Sequence, residues 1–286
     1  DGLLTIRETD RMLVLSCEQF TYVFNKLTGL FDKMTFANEP LLDQPMGFNV
    51  WRAPTDNDRK LKADWYAAHY DHAATNAYHT EYTVTASGVT LHTHVGIAAI
   101  CVQKFLDLDV TWTVANNGSV DLALHAKRTS VFPAQPRFGL RLFLPQEMSQ
   151  VNYYGMGPME CYRDKHHAAS HSSYTATVWQ LHEDYIRPQE NGSHFDCDYV
   201  MLAGDAVRLT AVGTQPFSFN ASHYTQEELT RKAHNYELEP CGSTVLCLDY
   251  AQNGIGSESC GPRLLEQYRL DDATFNFGLR LFPEKK

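Results

Sequence analysis

Short segments that alternate apolar and polar residues run through almost all of this 286-residue sequence. MLVLSC, FTYVFN, VTLHTHV, LDVTWTV, DLALHAK, FGLRLFL and TFNFGLRLF are rich in aromatic and β-branched residues and repeat every two positions, as half-buried strands do. NKLTG, ASGV and ANNGSV lie between such segments and carry the Gly or Asn-Gly that tight hairpins require. We therefore expect an all-β fold, a large antiparallel two-sheet β-sandwich.

Helical patterns are few and short. TQEELTRKAH begins with Thr225 three residues before Glu228, the spacing of a capping box. KLKADWYAAHY is compatible with a second helix, or with a loop covered by Trp65 and Tyr66. No linker, repeat or low-complexity tract divides the chain, so we expect residues 1–286 to form a single domain.

Charge and cysteine usage exclude several partners. The formal net charge is -10, with 24 Lys and Arg against 34 Asp and Glu, so we expect neither nucleic-acid nor membrane partners. DGLLTIRETD at the start of the sequence lacks the layout of a signal peptide. Seven irregularly spaced cysteines without a CxxC pair predict reduced thiols and a cytoplasmic location.

The segment NVWRAPTDND, residues 49–58, concentrates polar chemistry in a loop. Two prolines separated by one residue exclude a helix, and Thr, Asp and Asn favour turns. Asp56 and Asp58 are candidates for acid and base chemistry. Alternatively, Arg52 pairs with an aspartate and fixes the shape of the loop.

Further carboxylates follow in YGMGPMECYRDK, which contains Glu160 and Asp164, and in RPQENG, which contains Glu190. Sugar hydrolysis uses two carboxyl groups that flank the bond to be cleaved. The alternative is structural: Glu160 and Glu190 accept backbone donors, and Asp164 pairs with Arg163 or Lys165. The residues alone favour the structural interpretation, because bracing ion pairs are common.

Metal and nucleophile signals are weak. His167 and His171 are four residues apart, and His92 and His94 share one face of a predicted strand, but neither pair has a third ligand nearby. Zinc requires three or four converging ligands, so we expect no metal site. A nucleophilic role for Cys260 in GIGSESCGP would need a base that stabilises its thiolate.

Six segments resemble one known family in order as well as in content. They are FNKLTGLFDKM, WRAPTDND, YYGMGPMECYRDK, YIRPQENGS, FNASHYTQEELTRKAHNYEL and GIGSESCGP. This chain resembles, over about residues 13–282, the C-terminal domain of bacterial β-galactosidases of glycoside hydrolase family two. The same domain is the separate small subunit of two-chain lactases.

The resemblance implies a galactose-mutarotase-like sandwich and changes the interpretation of the carboxylates. In this family both catalytic glutamates and the magnesium ligands lie on a separate TIM-barrel domain, which no segment here resembles. We therefore expect no catalytic residue and no cofactor in this chain. The implied partners are the catalytic barrel, as a domain or a large subunit, and a galactoside substrate, within an oligomeric parent enzyme.

The resemblance also implies that two loops shape the side of the active site that holds the leaving sugar. They are residues 59–64 and GIGSESCGP. Lactose-cleaving members place a tryptophan in the second loop where this chain has Cys260, and their first loop is longer. The residues implied to contact substrate are Asp58, Arg59, Lys60, Ser259 and Cys260. Those implied to brace the loops are Trp51, Arg52, Asp56, Asn57, Glu160, Asp164 and Glu190.

Two other functions remain open at this point. An aldose 1-epimerase shares the implied fold and would need a histidine acid and a carboxylate base, for which His166, His167 or His171 with Glu160 are candidates. A free-standing carbohydrate-binding module would use Trp51, Trp65 or Tyr66 as a stacking platform.

Overall fold

A computed structural model describes residues 4–256 and 259–286 of the chain. Its first sheet has five antiparallel strands in sequential order. They are β1 Thr5–Glu8, β2 Met12–Ser16, β3 Phe20–Asn25, β4 Leu30–Phe36 and β5 Glu39–Pro40. The turn between β3 and β4 contains Gly29 at φ +73°, so the sequence NKLTG forms the predicted hairpin.

The second sheet has twelve strands within the described residues, and they pair antiparallel. The strands are β6 Gln44–Asn49, β7 Ala74–Thr85, β8 Gly88–Ala98, β9 Leu106–Ala115, β10 Val120–Arg128, β11 Arg137–Pro145, β12 Gln150–Gly157, β13 Ser170–Thr177, β14 Ser193–Ala203, β15 Val207–Ser222, β16 Ser243–Gln252 and β17 Thr274–Lys285. ANNGSV joins β9 to β10 as predicted. The all-β, two-sheet prediction is confirmed.

This large sheet divides at β15. The first part of β15 pairs with β17, which continues to β10, β9, β8 and β7. The last part, from Ser218 to Ser222, pairs instead with β16, which continues to β11 and β6. The bend between the two parts contains Pro216, which has no backbone N–H to donate to a neighbouring strand. The large sheet therefore has two branches, one that continues from β17 and one that continues from β16.

The small sheet packs on the β8–β10 region of the large one through aromatic side chains. Phe31 of β4 meets Trp112 of β9 edge to face, with ring centroids 5.3 Å apart. The indole Nε1 of Trp112 donates to the carbonyl of Gly29 at 3.0 Å, and the hydroxyl of Tyr22 donates to the carbonyl of Gly118 at 2.7 Å. Both aromatic polar atoms are therefore satisfied inside the core, where an unpaired one would be costly.

Two α-helices are described, α1 Leu61–Ala67 and α2 Gln226–Arg231. Thr225 Oγ1 accepts from the backbone N–H of Glu228 at 3.0 Å, which confirms the predicted cap. The carboxylate of Glu228 does not return to Thr225; it accepts from the backbone N–H of Glu239, so the capping box is only half formed. Neither helix is long and apolar enough to cross a bilayer within the described ranges.

The expected loop at residues 59–64 is shorter than the sequence suggested. Residues 61–64 belong to the first turn of α1, and the loop therefore ends at Lys60. The physical reason is Trp65, which is buried when this segment is helical.

Candidate functional site

The loop of residues 51–60 is organised around a buried ion pair. Arg52 donates to both carboxylate oxygens of Asp58, from Nη2 at 2.7 Å and from Nε at 3.3 Å. Asp58 also accepts from the backbone N–H of Thr55 at 2.9 Å. Asp58 is 1% exposed and Arg52 is fully buried. Asp58, implied by resemblance to contact substrate, is thus enclosed in the bracing network and is almost completely shielded from solvent.

Arg52 connects this loop to the loop that follows β16. Its Nη1 donates to the carbonyl of Asn253, and its Nη2 donates to the carbonyl of Gly254 at 3.1 Å. The guanidinium lies 5.1 Å from the ring centroid of Trp65, in cation–π contact. One side chain therefore fixes the entry to the second loop and the position of α1.

Two further side chains tie the loops together nearer the surface. Asn57 donates from Nδ2 to the carbonyl of Ile255 at 2.8 Å. Arg59 donates from Nη2 to the carbonyl of Ser259 at 2.5 Å. Arg59, Lys60 and Cys260 are exposed at the edge that results. Residues 257–258, inside GIGSESCGP, lie outside the described residues.

Asp164 holds the second loop from the other side. Its two carboxylate oxygens accept from the backbone N–H groups of Ile255 at 3.0 Å and Gly256 at 2.8 Å. A Cβ atom on Gly254 would lie 2.7 Å from the Asp164 carboxylate, so the approach requires glycine. The sequence interpretation that paired Asp164 with Arg163 or Lys165 is wrong. The carboxylate of Asp164 binds the two backbone N–H groups of the second loop instead.

Glu190 belongs to a second buried network. Arg137 donates to Glu190 at 3.0 Å and to Asp249 at 2.5 Å, and Gln252 Nε2 donates to Glu190 at 3.3 Å. The backbone N–H of Glu190 donates to the carbonyl of Ala53, which links this network to the first loop. Glu190 was expected to accept backbone donors; its partners are side chains. Burial raises the pKa of Asp249 to about 6 although Arg137 acts to lower it.

Glu160 forms a third anchor beside these two. It accepts from Lys165 Nζ at 2.7 Å, from the Tyr185 hydroxyl at 2.5 Å and from the backbone N–H of Gly192 at 2.8 Å. Only the last is the backbone donor that the sequence interpretation expected. With three donors on a nearly buried carboxylate, Glu160 is unsuited to act as a free base.

The side chain of Asp56 is exposed, and this residue helps to hold the loop through its backbone N–H. The backbone N–H of Asp56 donates to Gln189 Oε1 at 3.2 Å. Gln189 precedes Glu190, so the RPQENG segment contacts the first loop at two successive residues.

The tryptophans proposed as a sugar-stacking platform are internal. Trp51 and Trp65 are buried and meet edge to face at 6.5 Å. Trp51 Nε1 donates to Thr230 Oγ1, and Trp65 Nε1 donates to the carbonyl of Ala134. Only Tyr66 of the three is partly exposed. The platform interpretation of Trp51 and Trp65 is therefore wrong, since neither indole face is open to a ligand.

The histidines do not form a metal centre in the described ranges, where no group of three or more His, Cys, Asp or Glu residues has metal-binding geometry. His167 lies in a turn, not on a helix with His171. His171 contacts Asp198 at 3.3 Å, and His94 lies between Asp107 and Asp109 at 2.8 and 2.9 Å. His166 and His167 line the same shallow pocket as Glu160.

Several residues of these networks were missed by the sequence interpretation: Arg137, Gln189, Asp249, Gln252 and Asn253. Arg137, Asp249 and Gln252 lie within strands, where a charged residue normally indicates a solvent-facing position. A usable signal existed in Asp249, because it directly follows the apolar run VLCL within its strand.

The fold of the chain is galactose-mutarotase-like. The structure resembles a galactose mutarotase-like protein from Lactobacillus casei ATCC 334, with a TM-score of 0.51 and 10% identity, covering 96% of this chain and 100% of that one. It also resembles galactose 1-epimerase from Lactobacillus acidophilus NCFM, with a TM-score of 0.51 and 8% identity, covering 100% and 99%. At this level of identity the likeness concerns the fold alone.

The sequence relatives are more specific. The family model described as beta galactosidase small chain matches residues 16–281. β-Galactosidases of Actinobacillus pleuropneumoniae and Staphylococcus xylosus are 42% and 36% identical to this chain over 93% and 97% of its length. The chain belongs to the β-galactosidase small-chain family, which confirms the resemblance. It spans 26% and 28% of the lengths of these two relatives.

Proposed function

We propose that this chain is a non-catalytic part of a β-galactosidase and that it completes the side of the active site that receives the leaving group. The parent enzyme would hydrolyse terminal β-D-galactosides. Two facts support this role: the chain belongs to the small-chain family, and it spans only about a quarter of its relatives. The catalytic glutamates and the magnesium ligands are assigned to the remainder of the parent.

The joined pair of loops is the observation that carries this proposal. Arg52, Asn57 and Arg59 each donate to a carbonyl of the second loop, so residues 51–60 form one braced unit with residues 253–256 and 259–260. Buried charge is expensive unless paired, and here it is used to hold surface loops in shape. Loops held in a fixed shape are suited to form a surface that must keep its position beside the active site of another domain.

The exposed side chains of that edge define what it offers to a ligand. Arg59 and Lys60 present cationic groups, and Cys260 presents a small thiol. A thiol lacks the broad apolar face with which an indole stacks on a sugar ring. We therefore expect weaker binding of glucose as leaving group than in family members with tryptophan at this position.

Exposed apolar side chains support docking against the rest of the parent. Ile186 is 77% exposed and Tyr236 is 79% exposed. They are held near each other because the backbone N–H of Asn235 donates to the carbonyl of Ile186 at 2.9 Å. Ile186 precedes the RPQENG segment that contacts the first loop, so this surface adjoins the braced unit. The catalytic barrel is the proposed occupant.

Reconstitution tests the proposal. The purified chain is assayed with a chromogenic galactoside alone, and then after fusion to the first three quarters or so of the Actinobacillus pleuropneumoniae β-galactosidase in place of that enzyme's own matching region. The chain alone should be inactive and the fusion active. Hydrolysis by the isolated chain, proportional to its concentration, would contradict the non-catalytic role. A fusion that folds but is inactive would contradict the supporting role.

A further inference from the structure

A narrow cleft opens between the end of the YGMGPMECYRDK segment and strands β14, β15 and β16. Its volume is about 260 Å³, room for a single small ring. It lies beside the bend of β15, where the large sheet divides. The side chains that line it include Arg163, Phe195, Asp196, Gln215, Ser218 and Tyr250.

Polar side chains line this cleft. Ser218, which is 7% exposed, brings a hydroxyl to the lining. Gln252, also in the lining, donates from Nε2 to Glu190 and Ser193, while its buried Oε1 has no partner within the described ranges. Buried polar groups are normally paired, so a ligand with hydroxyl groups would satisfy what the protein leaves open.

The charged groups of the lining are of opposite sign. Arg163 donates from Nη1 to the carbonyl of Arg269 at 3.1 Å, which directs its guanidinium without neutralising it. Asp196, which is half-buried, brings a carboxylate to the same lining. One cation and one anion in a small cleft favour a neutral ligand that both donates and accepts hydrogen bonds.

Two aromatic rings are fixed at the cleft. Tyr250 stacks on Phe275 with centroids 4.3 Å apart and an interplanar angle of 11°, and Phe195 lies 5.2 Å from the ring of His166. Rings held in this way offer a face for stacking at little entropic cost.

The backbone at the cleft is irregular. Asp196 has φ +54°, an uncommon conformation for a residue other than glycine. The pairing of β14 with β15 shifts register on both sides of Cys197. Bulges and left-handed residues cluster where a strand must redirect a side chain toward a ligand.

We propose that this cleft binds one neutral monosaccharide ring. Asp196 and Arg163 would bind hydroxyl groups of the sugar from its edge, Ser218 would bind it from within the cleft, and Tyr250 or Phe195 would cover its apolar face. This site goes beyond the proposed function, which concerns the exposed loop edge, and its test does not require the parent enzyme.

Titration of the purified 286-residue chain with galactose and with glucose tests the site. Amide shifts in ¹⁵N–¹H NMR spectra should saturate with a Kd on the order of 1 mM and should centre on residues 193–196, 215–218 and 250–252. Saturable shifts from either sugar support the site. The absence of saturable shifts there at a sugar concentration on the order of 100 mM overturns it.

Three variants make the result specific. Asp196→Asn keeps a residue that tolerates positive φ and removes the charge, and Ser218→Ala removes only the hydroxyl at the lining. Each should weaken sugar binding by about fivefold or more. Asp198→Asn is the matched control, because Asp198 lies on the same strand but contacts His171 and does not line the cleft; its affinity should be unchanged. Undiminished binding in both Asp196→Asn and Ser218→Ala would overturn the proposal.

Discussion

Arg52 and Asp58 form a buried ion pair with two hydrogen bonds, and the same guanidinium holds the carbonyl groups of Asn253 and Gly254. This relationship joins two loops that are about two hundred residues apart in the chain. Arg52 therefore contributes both to the stability of the fold and to the position of the proposed ligand-facing edge.

Replacing Arg52 should be strongly destabilising. Arg52→Ala leaves the Asp58 carboxylate buried without its partner and should lower the free energy of unfolding by about 3–5 kcal/mol. Arg59→Ala is the control, because Arg59 is exposed and should cost less than about 1 kcal/mol. Urea unfolding of both variants measures the difference. Equal losses would mean that the buried pair does not stabilise the loops.

Asp164 should control the order of the second loop. Asp164→Asn replaces a carboxylate that accepts from two backbone N–H groups with a side chain that has one acceptor oxygen. Hydrogen exchange at the amides of Ile255 and Gly256 should accelerate by about tenfold. Asp184→Asn, in an exposed position, serves as the control. Unchanged exchange at both amides would show that Asp164 does not hold them.

His194 should make the chain sensitive to acid. Burial lowers the pKa of His194 from 6.5 to about 4, so the unfolded chain binds this proton more tightly than the folded one. Stability from the neutral ring is complete above about pH 6.5 and is lost as the pH falls through 4, an effect on the order of 3 kcal/mol. Asp249 acts in the opposite direction, since its raised pKa contributes stability that is lost as the pH rises through about 6.

A variant isolates the contribution of His194. His194→Gln should flatten the fall in stability between pH 6.5 and 4, whatever its effect at neutral pH. His125→Gln, at an exposed position, should leave the slope as it is in the unmodified chain. Chemical denaturation at a series of pH values gives both slopes. If His194→Gln keeps the full slope, another group causes it.

The apolar surface around Ile186 should matter only in the parent enzyme. Ile186→Ser should leave the stability of the isolated chain within about 0.5 kcal/mol, because this side chain is mostly exposed. In the fusion enzyme it should weaken docking and lower thermal stability. Val131→Ser, at another exposed apolar position, is the control. Equal behaviour of the two variants in the fusion enzyme would place the docking surface elsewhere.

The sequence predicted the strand-rich fold well because alternation and hairpin glycines are local signals. The β9–β10 hairpin follows from ANNGSV, and the α2 cap follows from the spacing of Thr225 and Glu228. The division of the large sheet at β15 was not predictable in this way, since it depends on which distant strands pair with each half of β15.

The contacts of the site residues also divide into local ones, which the sequence could indicate, and distant ones, which it could not. Arg52 and Asp58 are six residues apart, so the loop brace was among the alternatives that the sequence offered. The partners of Asp164 and Glu190 are distant in the chain, and neighbouring charges in the sequence pointed to the wrong ones. The internal position of Trp51 and Trp65 likewise depends on contacts with Thr230 and Ala134 that no local pattern indicates.

The central claim, that this chain shapes the leaving-group side of the active site, is tested most directly by Cys260→Trp in the fusion enzyme. The measurement is the ratio of kcat/KM for lactose to kcat/KM for an aryl galactoside. An indole that can stack on glucose should raise this ratio by about fivefold or more, whereas Cys101→Trp, at the other exposed cysteine, should leave it unchanged. An identical ratio in Cys260→Trp and the unmodified enzyme would contradict the claim.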